Sequence, residues 1–151
     1  MVISEADFAK SSIMAAMPLA RILGVEFVEL AEERAVMRLP DNPDHYDHTQ
    51  NQHAGALIVL AETTSGAAVF NALGDRLNLA LPVSLDARVD HRQPFSGPVV
   101  AEAVLGEEWR TALTELEAGG QPEFPVDVAL RAENGSTTGT ATITWMLRPH
   151  P

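Results

Sequence analysis

The sequence predicts an α+β domain, one antiparallel sheet wrapped around a single buried helix, on three observations. Residues 54–73 read AGALIVLAETTSGAAVFNAL, with most of the polar members in one run, Glu62 to Ser65. Four consecutive helical positions point to four sides, so the run makes no solvent stripe, and a helix without one is buried. Beyond it the pattern changes to period two: Val83, Leu85, Ala87 and Val89 alternate with Ser84, Asp86, Arg88 and Asp90, a strand with one buried face. Finally, strand-like segments at 125–131 and 138–148 flank Asn134-Gly135, a strong hairpin signal. With no internal repeat and no low-complexity linker, about six strands and one long helix satisfy the pattern as one domain spanning residues 1–151.

Each element has its own local reason. Ser4 is placed as an N-cap with Glu5 and Asp7 behind it, opening a helix to about Met17 that Pro18 interrupts. Leu19 to Leu23 adds a short turn with Gly24 as its stop, so residues 1–24 form an N-terminal helical segment. Val25–Leu30 and Arg34–Leu39 read as a hairpin around Ala31-Glu32-Glu33. Pro40 to Gln52 is a polar loop, Asn51 or Gln52 leads into the central helix, and Gly74 ends it. Pro94 to Pro98 is a turn, Val99 to Trp109 a further strand, and Glu115 to Pro125 a loop. In the last strand Ala141, Ile143, Trp145 and Leu147 share one face.

Composition narrows the function. The chain has 151 residues, 46% of them hydrophobic, which suits a soluble globule with a sizeable core. No apolar run is expected to reach transmembrane length, since Glu62 interrupts the longest, and the acidic start lacks the basic region of a secretory signal. The absence of cysteine excludes disulfides, thiol nucleophiles and thiolate metal sites, and fits the cytoplasm. A net charge of -11 disfavours nucleic acid and anionic membranes as partners. Nine of the ten basic residues are Arg, the side chain suited to bidentate phosphate binding.

Within this frame the helix start stands out. Glu62 follows His53 by nine residues. A carboxylate in a wholly buried helix is either paired or used. Two roles are open to it: an activated group in a shielded site, or a structural Glu paired with Arg or capped by Ser or Thr in a dimer interface. Ala54 and Gly55 fall where helical N–H groups are free and the dipole is positive, so they suit an oxyanion as well as they suit close packing. A neutral imidazole is expected for His53, because a cation at a helix N-terminus is disfavoured. Asp44-His45-Tyr46-Asp47-His48 offers metal-ligand residue types, but a loop does not aim them as a helix would, and the better reading is a polar loop lining a pocket with no metal.

These residues resemble the hotdog fold, and within it the PaaI-like acyl-CoA thioesterases. Their polar loop, His-Gly-Gly, and Leu-Ala-Asp or Leu-Ala-Glu on the helix correspond here to His53-Ala54-Gly55 and Leu60-Ala61-Glu62. Val83-Ser84-Leu85-Asp86, followed by Gln93-Pro94-Phe95-Ser96-Gly97, is similar to the relatives' Val-Ser-x-Asp strand and Pro-x-x-Gly turn. Two positions depart. The middle residue of the His-Gly-Gly is Ala54, as in a subgroup of unassigned function, and the loop Asn of the relatives falls on Asp47. The resemblance implies that Glu62 activates water or attacks the thioester carbonyl, that His53 and the Ala54 and Gly55 amides meet the carbonyl oxygen, and that Ser84 places the water across a subunit boundary. Asp47 and Asn51 are candidate substrate contacts in the loop, and Arg88, His91 and Arg92, near the Gln93–Gly97 turn, could meet CoA phosphates, with pairing to Asp86 and Asp90 as the alternative. The resemblance further implies a homodimer or homotetramer, an acyl-CoA substrate and no cofactor. The alternatives are a hotdog hydratase or dehydratase, against which the seven residues from Gly55 to Glu62 argue, and a non-catalytic acyl-ligand binding protein.

Overall fold

The computed structural model describes residues 4–135 and 138–150. Ser4 caps α1 (Glu5–Ala15) by accepting the Asp7 amide at 3.1 Å. The helix stops short of Met17, which turns to φ -125°, ψ 70° ahead of Pro18, as the residue before a proline must leave the helical region. Pro18 then sits in the first turn of α2 (Pro18–Ile22), where no amide is needed, and Gly24 at φ +77° reverses the chain. β1 (Glu26–Ala31) and β2 (Arg34–Leu39) form the expected hairpin, with Glu33 at positive φ in its turn. They are followed by α3 (Ala54–Leu73), β3 (Ala80–Asp90), β4 (Val99–Val104), α4 (Glu107–Glu117), β5 (Glu123–Ala132) and β6 (Thr138–Pro149).

All six strands join one antiparallel sheet in the order β1-β2-β4-β5-β6-β3, and α3 lies against every one of them. The inward residues of β5 and β6, including Phe124, Val126, Val128, Leu130, Ala141, Ile143, Trp145 and Leu147, bury against the helix. Residues Ala54–Asn78 are in fact long and apolar enough to cross a membrane by length and composition, at a mean hydropathy of 1.5, contrary to the expectation from Glu62. The sheet wraps them instead, and 67% of the apolar window is buried, so this is a core helix. Three of its four clustered polar residues turn inward, and two of them are satisfied locally. The Thr64 hydroxyl donates to the Leu60 carbonyl at 2.7 Å, and Ser65 Oγ donates to the Glu62 carbonyl while accepting from Trp145 Nε1 at 2.9 Å.

Two further readings need correction. The chain from Glu107 to Glu117 is a helix, neither the end of a strand nor a loop: Trp109, Ala112 and Leu116 recur at helical spacing and bury, with Trp109 edge-on to Phe124. The period-two face of β3 is also split. A bulge at Leu85 shifts the register between Ser84 and Asp86, so Pro82 and Ser84 face inward before it and Ala87 and Val89 after it. Leu85 is left 43% exposed, and Ser84, opposite the buried Trp145, lies on the helix side of the sheet. The Asn134-Gly135 turn has Gly135 at φ +76°; the remainder of that turn lies outside the described residues.

Candidate active site

The start of α3 is held by two loops. The His53 amide donates to the His45 carbonyl at 3.0 Å, and the Gln52 amide to the Phe95 carbonyl at 2.9 Å. Gln52 is 2% exposed, and its side-chain amide donates to both the Pro40 and Gly97 carbonyls, at 3.0 and 2.9 Å. This residue ties the end of β2, the turn before β4 and the helix start to one another. Nothing in the sequence marks its role, since a Gln in a polar loop carries no sign that it is buried. Gln52→Ala is expected to leave two carbonyls unpaired and lower stability by about 1–3 kcal/mol. A urea midpoint equal to the parent's, at unchanged slope, would show the clamp to be idle.

His53 is the N-cap of α3, and its Nδ1 accepts the Gly55 amide at 2.8 Å. An accepting Nδ1 places the proton on Nε2, so the ring is neutral, and Nε2–H remains as a donor. This arrangement corrects the expectation of two free amides. Gly55 N–H is engaged by the imidazole, whereas the Ala54 amide has no partner among the described residues. Gly55 is required for close approach, since a Cβ there would meet His53 Nδ1 at 3.0 Å.

The N-terminal half of α3 keeps one incompletely covered strip. Gly55, Ile58 and Val59 are half-buried and Glu62 is exposed, at positions three and four apart that share a face. Glu62 is therefore not buried as the helix composition suggested. Its carboxylate has no hydrogen-bond or ionic partner among the described residues; only its backbone carbonyl is engaged, by Ser65.

The other candidates divide. Ser84 lies on the helix side of β3, on the same side as α3. Asp47 and Asn51 spend their polar groups inside the loop: Asp47 Oδ1 accepts the Thr49 amide and hydroxyl, and Asn51 donates to the Thr49 carbonyl and hydroxyl. The Thr49 hydroxyl, then its amide, hold the Asp47 carboxyl below the usual carboxylate range. Arg88 pairs in register with Thr142, on the face of the sheet away from α3, so one chain does not bring it to the helix start. Arg92 is highly exposed and pairs with Asp90 at 3.4 Å. Among the described residues no three His, Asp or Glu side chains gather as a metal site.

A curved antiparallel sheet wrapped on one helix defines a hotdog-fold domain, and solved structures share it throughout their length. PA5026 of Pseudomonas aeruginosa, a protein of unknown function described as a probable thioesterase, is 23% identical, with 97% of each chain covered at a TM-score of 0.83. A mutant of the Pseudomonas aeruginosa thioesterase PA1618 is 20% identical, covering 93% of this chain and 94% of its own, at a TM-score of 0.73. The Escherichia coli PaaI protein of the phenylacetic acid degradation operon is 18% identical, covering 95% and 96%, at a TM-score of 0.68. Residues 7–147 match the family described as Domain of unknown function (DUF4442), and the chain belongs to that family. No curated protein matches.

Proposed function

We propose that this protein is an acyl-CoA thioesterase that hydrolyses its substrate to a free acid and CoA in the cytoplasm, as a homo-oligomer and without a cofactor. The observation that carries the reading is the strip on α3, where an unpaired carboxylate, Glu62, shares a face with the helix start that carries the free Ala54 amide and His53 Nε2–H. The donors would hold the thioester oxygen as it gains charge. Glu62 would take a proton from attacking water, or attack the carbonyl itself, before the thiolate leaves. Several hotdog structures similar to this chain carry thioesterase descriptions, which supports the class of reaction. His53-Ala54-Gly55 would place it in the subgroup with alanine at the middle position.

Geometry also asks for a second copy. Eight residues separate Ala54 from Glu62, about 12 Å along a helix, too far for both to act on one carbonyl. A neighbouring α3 running the other way would set Glu62 of one chain beside Ala54 of the next, with the inward Ser84 nearby. The free edge of β3 and the exposed Leu79, Leu81 and Leu85 favour pairing on that side. Sedimentation is expected to give a dimer or tetramer at micromolar concentration; a stable monomer would contradict both the assembly and the shared site.

Hydrolysis is tested by thiol release from acyl-CoAs of graded chain length, with Glu62→Gln as control. Release of free CoA that depends on Glu62 supports the reading. An enoyl product without release would mean a dehydratase. Tight binding without turnover would mean an acyl-ligand binding protein, a reading favoured by the engagement of Gly55 N–H with His53.

A further inference from the structure

Two arginines line one groove at the rim of the sheet. It holds about 630 Å³ between the chain that leaves β3 and the adjoining ends of β5 and β6. Arg92 and Arg131 line it with Gln93, Thr138 and Thr140, and Asp90 is the one carboxylate among the described lining residues. In the ladder Arg131 stands opposite Thr138, and Asp90 opposite Thr140. Neither arginine is firmly paired. Arg131 approaches Glu102 at 3.4 Å, whereas Arg34 already holds that carboxylate at 2.5 and 2.8 Å. Arg92 keeps 89% of its side chain exposed and lies 3.4 Å from Asp90. Exposed ion pairs of this kind contribute little, so an incoming anion can replace them. In a chain of net charge -11, two available guanidiniums beside hydroxyls and an amide select a phosphate, whose several oxygens accept from all of them.

The groove is joined to the start of α3. The segment after β3 packs on Gly139, where a Cβ would meet the Asp90 carbonyl at 2.8 Å and the Phe95 ring at 3.3 Å. The Phe95 carbonyl then accepts the Gln52 amide at 2.9 Å, just before His53 and Ala54. The path from Gln93 to Phe95, across that hydrogen bond and on from Gln52 to Ala54 spans at most about 20 Å, and less where it bends. A pantetheine arm has about thirteen bonds from sulfur to the first phosphorus, as many as four residues of chain, and reaches about 15 Å. A thioester held at Ala54 therefore delivers its pyrophosphate to this groove, with the nucleoside and the 3′-phosphate beyond it.

We propose that the groove binds the pyrophosphate of the substrate's CoA, with Arg92 and Arg131 as the two guanidiniums that grip it. The assignment rests on the acyl-CoA reading of the site at α3. It adds Arg131 and sets aside Arg88 and His91, which are not among the described lining residues.

Three esters of one acyl group separate the phosphates: the thioesters of CoA, 3′-dephospho-CoA and pantetheine. The parent protein is expected to use the first two alike and the pantetheine ester about ten- to a hundredfold less well in kcat/KM, the scale of hydrogen bonds to a charged group. Arg92→Gln and Arg131→Gln should each lower the ratio of dephospho-CoA to pantetheine kcat/KM by about tenfold. Three results would each overturn the proposal: equal use of the pantetheine ester, a loss on removing the 3′-phosphate as large as that on removing the whole nucleotide, or an unchanged ratio in both folded variants.

A second arm needs no turnover. In Glu62→Gln protein, calorimetry is expected to show 3′-dephospho-CoA bound and displaced by inorganic pyrophosphate, and adding Arg131→Gln should weaken both ligands by about tenfold. Failure of displacement, or equal affinity with Arg131→Gln, would overturn the groove assignment even if hydrolysis is confirmed. Binding that depends on Arg131, in a protein that hydrolyses no thioester, would sink the proposed function and leave the pyrophosphate site standing.

Discussion

Glu62→Gln is expected to keep the fold and lose about two to four decades of kcat, the range for loss of a general base. Among the described residues the carboxylate makes no hydrogen bond or ion pair. Replacing one oxygen by an amide nitrogen of nearly the same shape should therefore change stability by only about 0.5 kcal/mol, as at an ordinary surface position. That contrast between lost rate and retained stability separates the two roles open to Glu62. A structural Glu, paired across an interface, would lose assembly and stability together with activity. A catalytic Glu would lose rate alone, because Gln can neither take the proton from water nor form an anhydride. Thiol release from acyl-CoA, sedimentation and urea unfolding on the same preparations decide the matter. Unchanged turnover would remove Glu62 from the mechanism. Loss of the oligomer would return it to the interface.

The parts of the fold that were legible in the sequence are those carried by local chemistry. Ser4 announces α1 because a hydroxyl followed by acids satisfies free amides, and the structure has Ser4 accepting Asp7 N–H. The composition of residues 54–73 announces a core helix, and the chain from Ala54 to Leu73 forms it. Composition reports average burial, however, and misses the one strip on which Glu62 is exposed. The bulge at Leu85 was hidden for a related reason. Alternation was carried across it unbroken, whereas one unpaired residue changes which positions face inward. The signal for α4 was present in Gly106, Glu107, Glu108 and the spacing of Trp109, Ala112 and Leu116; extending the preceding Val-rich strand concealed it. In the site, the sequence marked His53 but not its acceptor role toward Gly55. It could not mark Gln52, whose partners lie 12 and 45 residues away. Contacts made at that distance leave no periodicity to read.

Ala54→Pro is expected to abolish most turnover while the helix survives. Proline removes the Ala54 amide, which has no partner among the described residues, and loss of such a donor costs about 2.7–4 kcal/mol of transition-state stabilisation, or roughly two to three decades of rate. The local structure can accept the ring. Ala54 is the first helical residue, where proline is at home, and His53 sits at φ -62°, ψ 138°, the extended region that a following proline demands. Ala54→Gly keeps the amide and should cost only about 0.5–1 kcal/mol of stability. The 12 Å between Ala54 and Glu62 gives the pair of variants a further use. If each site takes its amide from one chain and its carboxylate from another, unfolding Ala54→Pro and Glu62→Gln proteins together and refolding them as mixed dimers should restore activity. One site in each mixed dimer would then carry both defects and the other neither. Sites built within a single chain would leave every mixture as inactive as its components. A folded Ala54→Pro protein with full hydrolysis would move the oxyanion elsewhere, and His53 Nε2–H would be the donor to test, with His53→Phe retaining ring bulk while removing both the donor and the cap on Gly55.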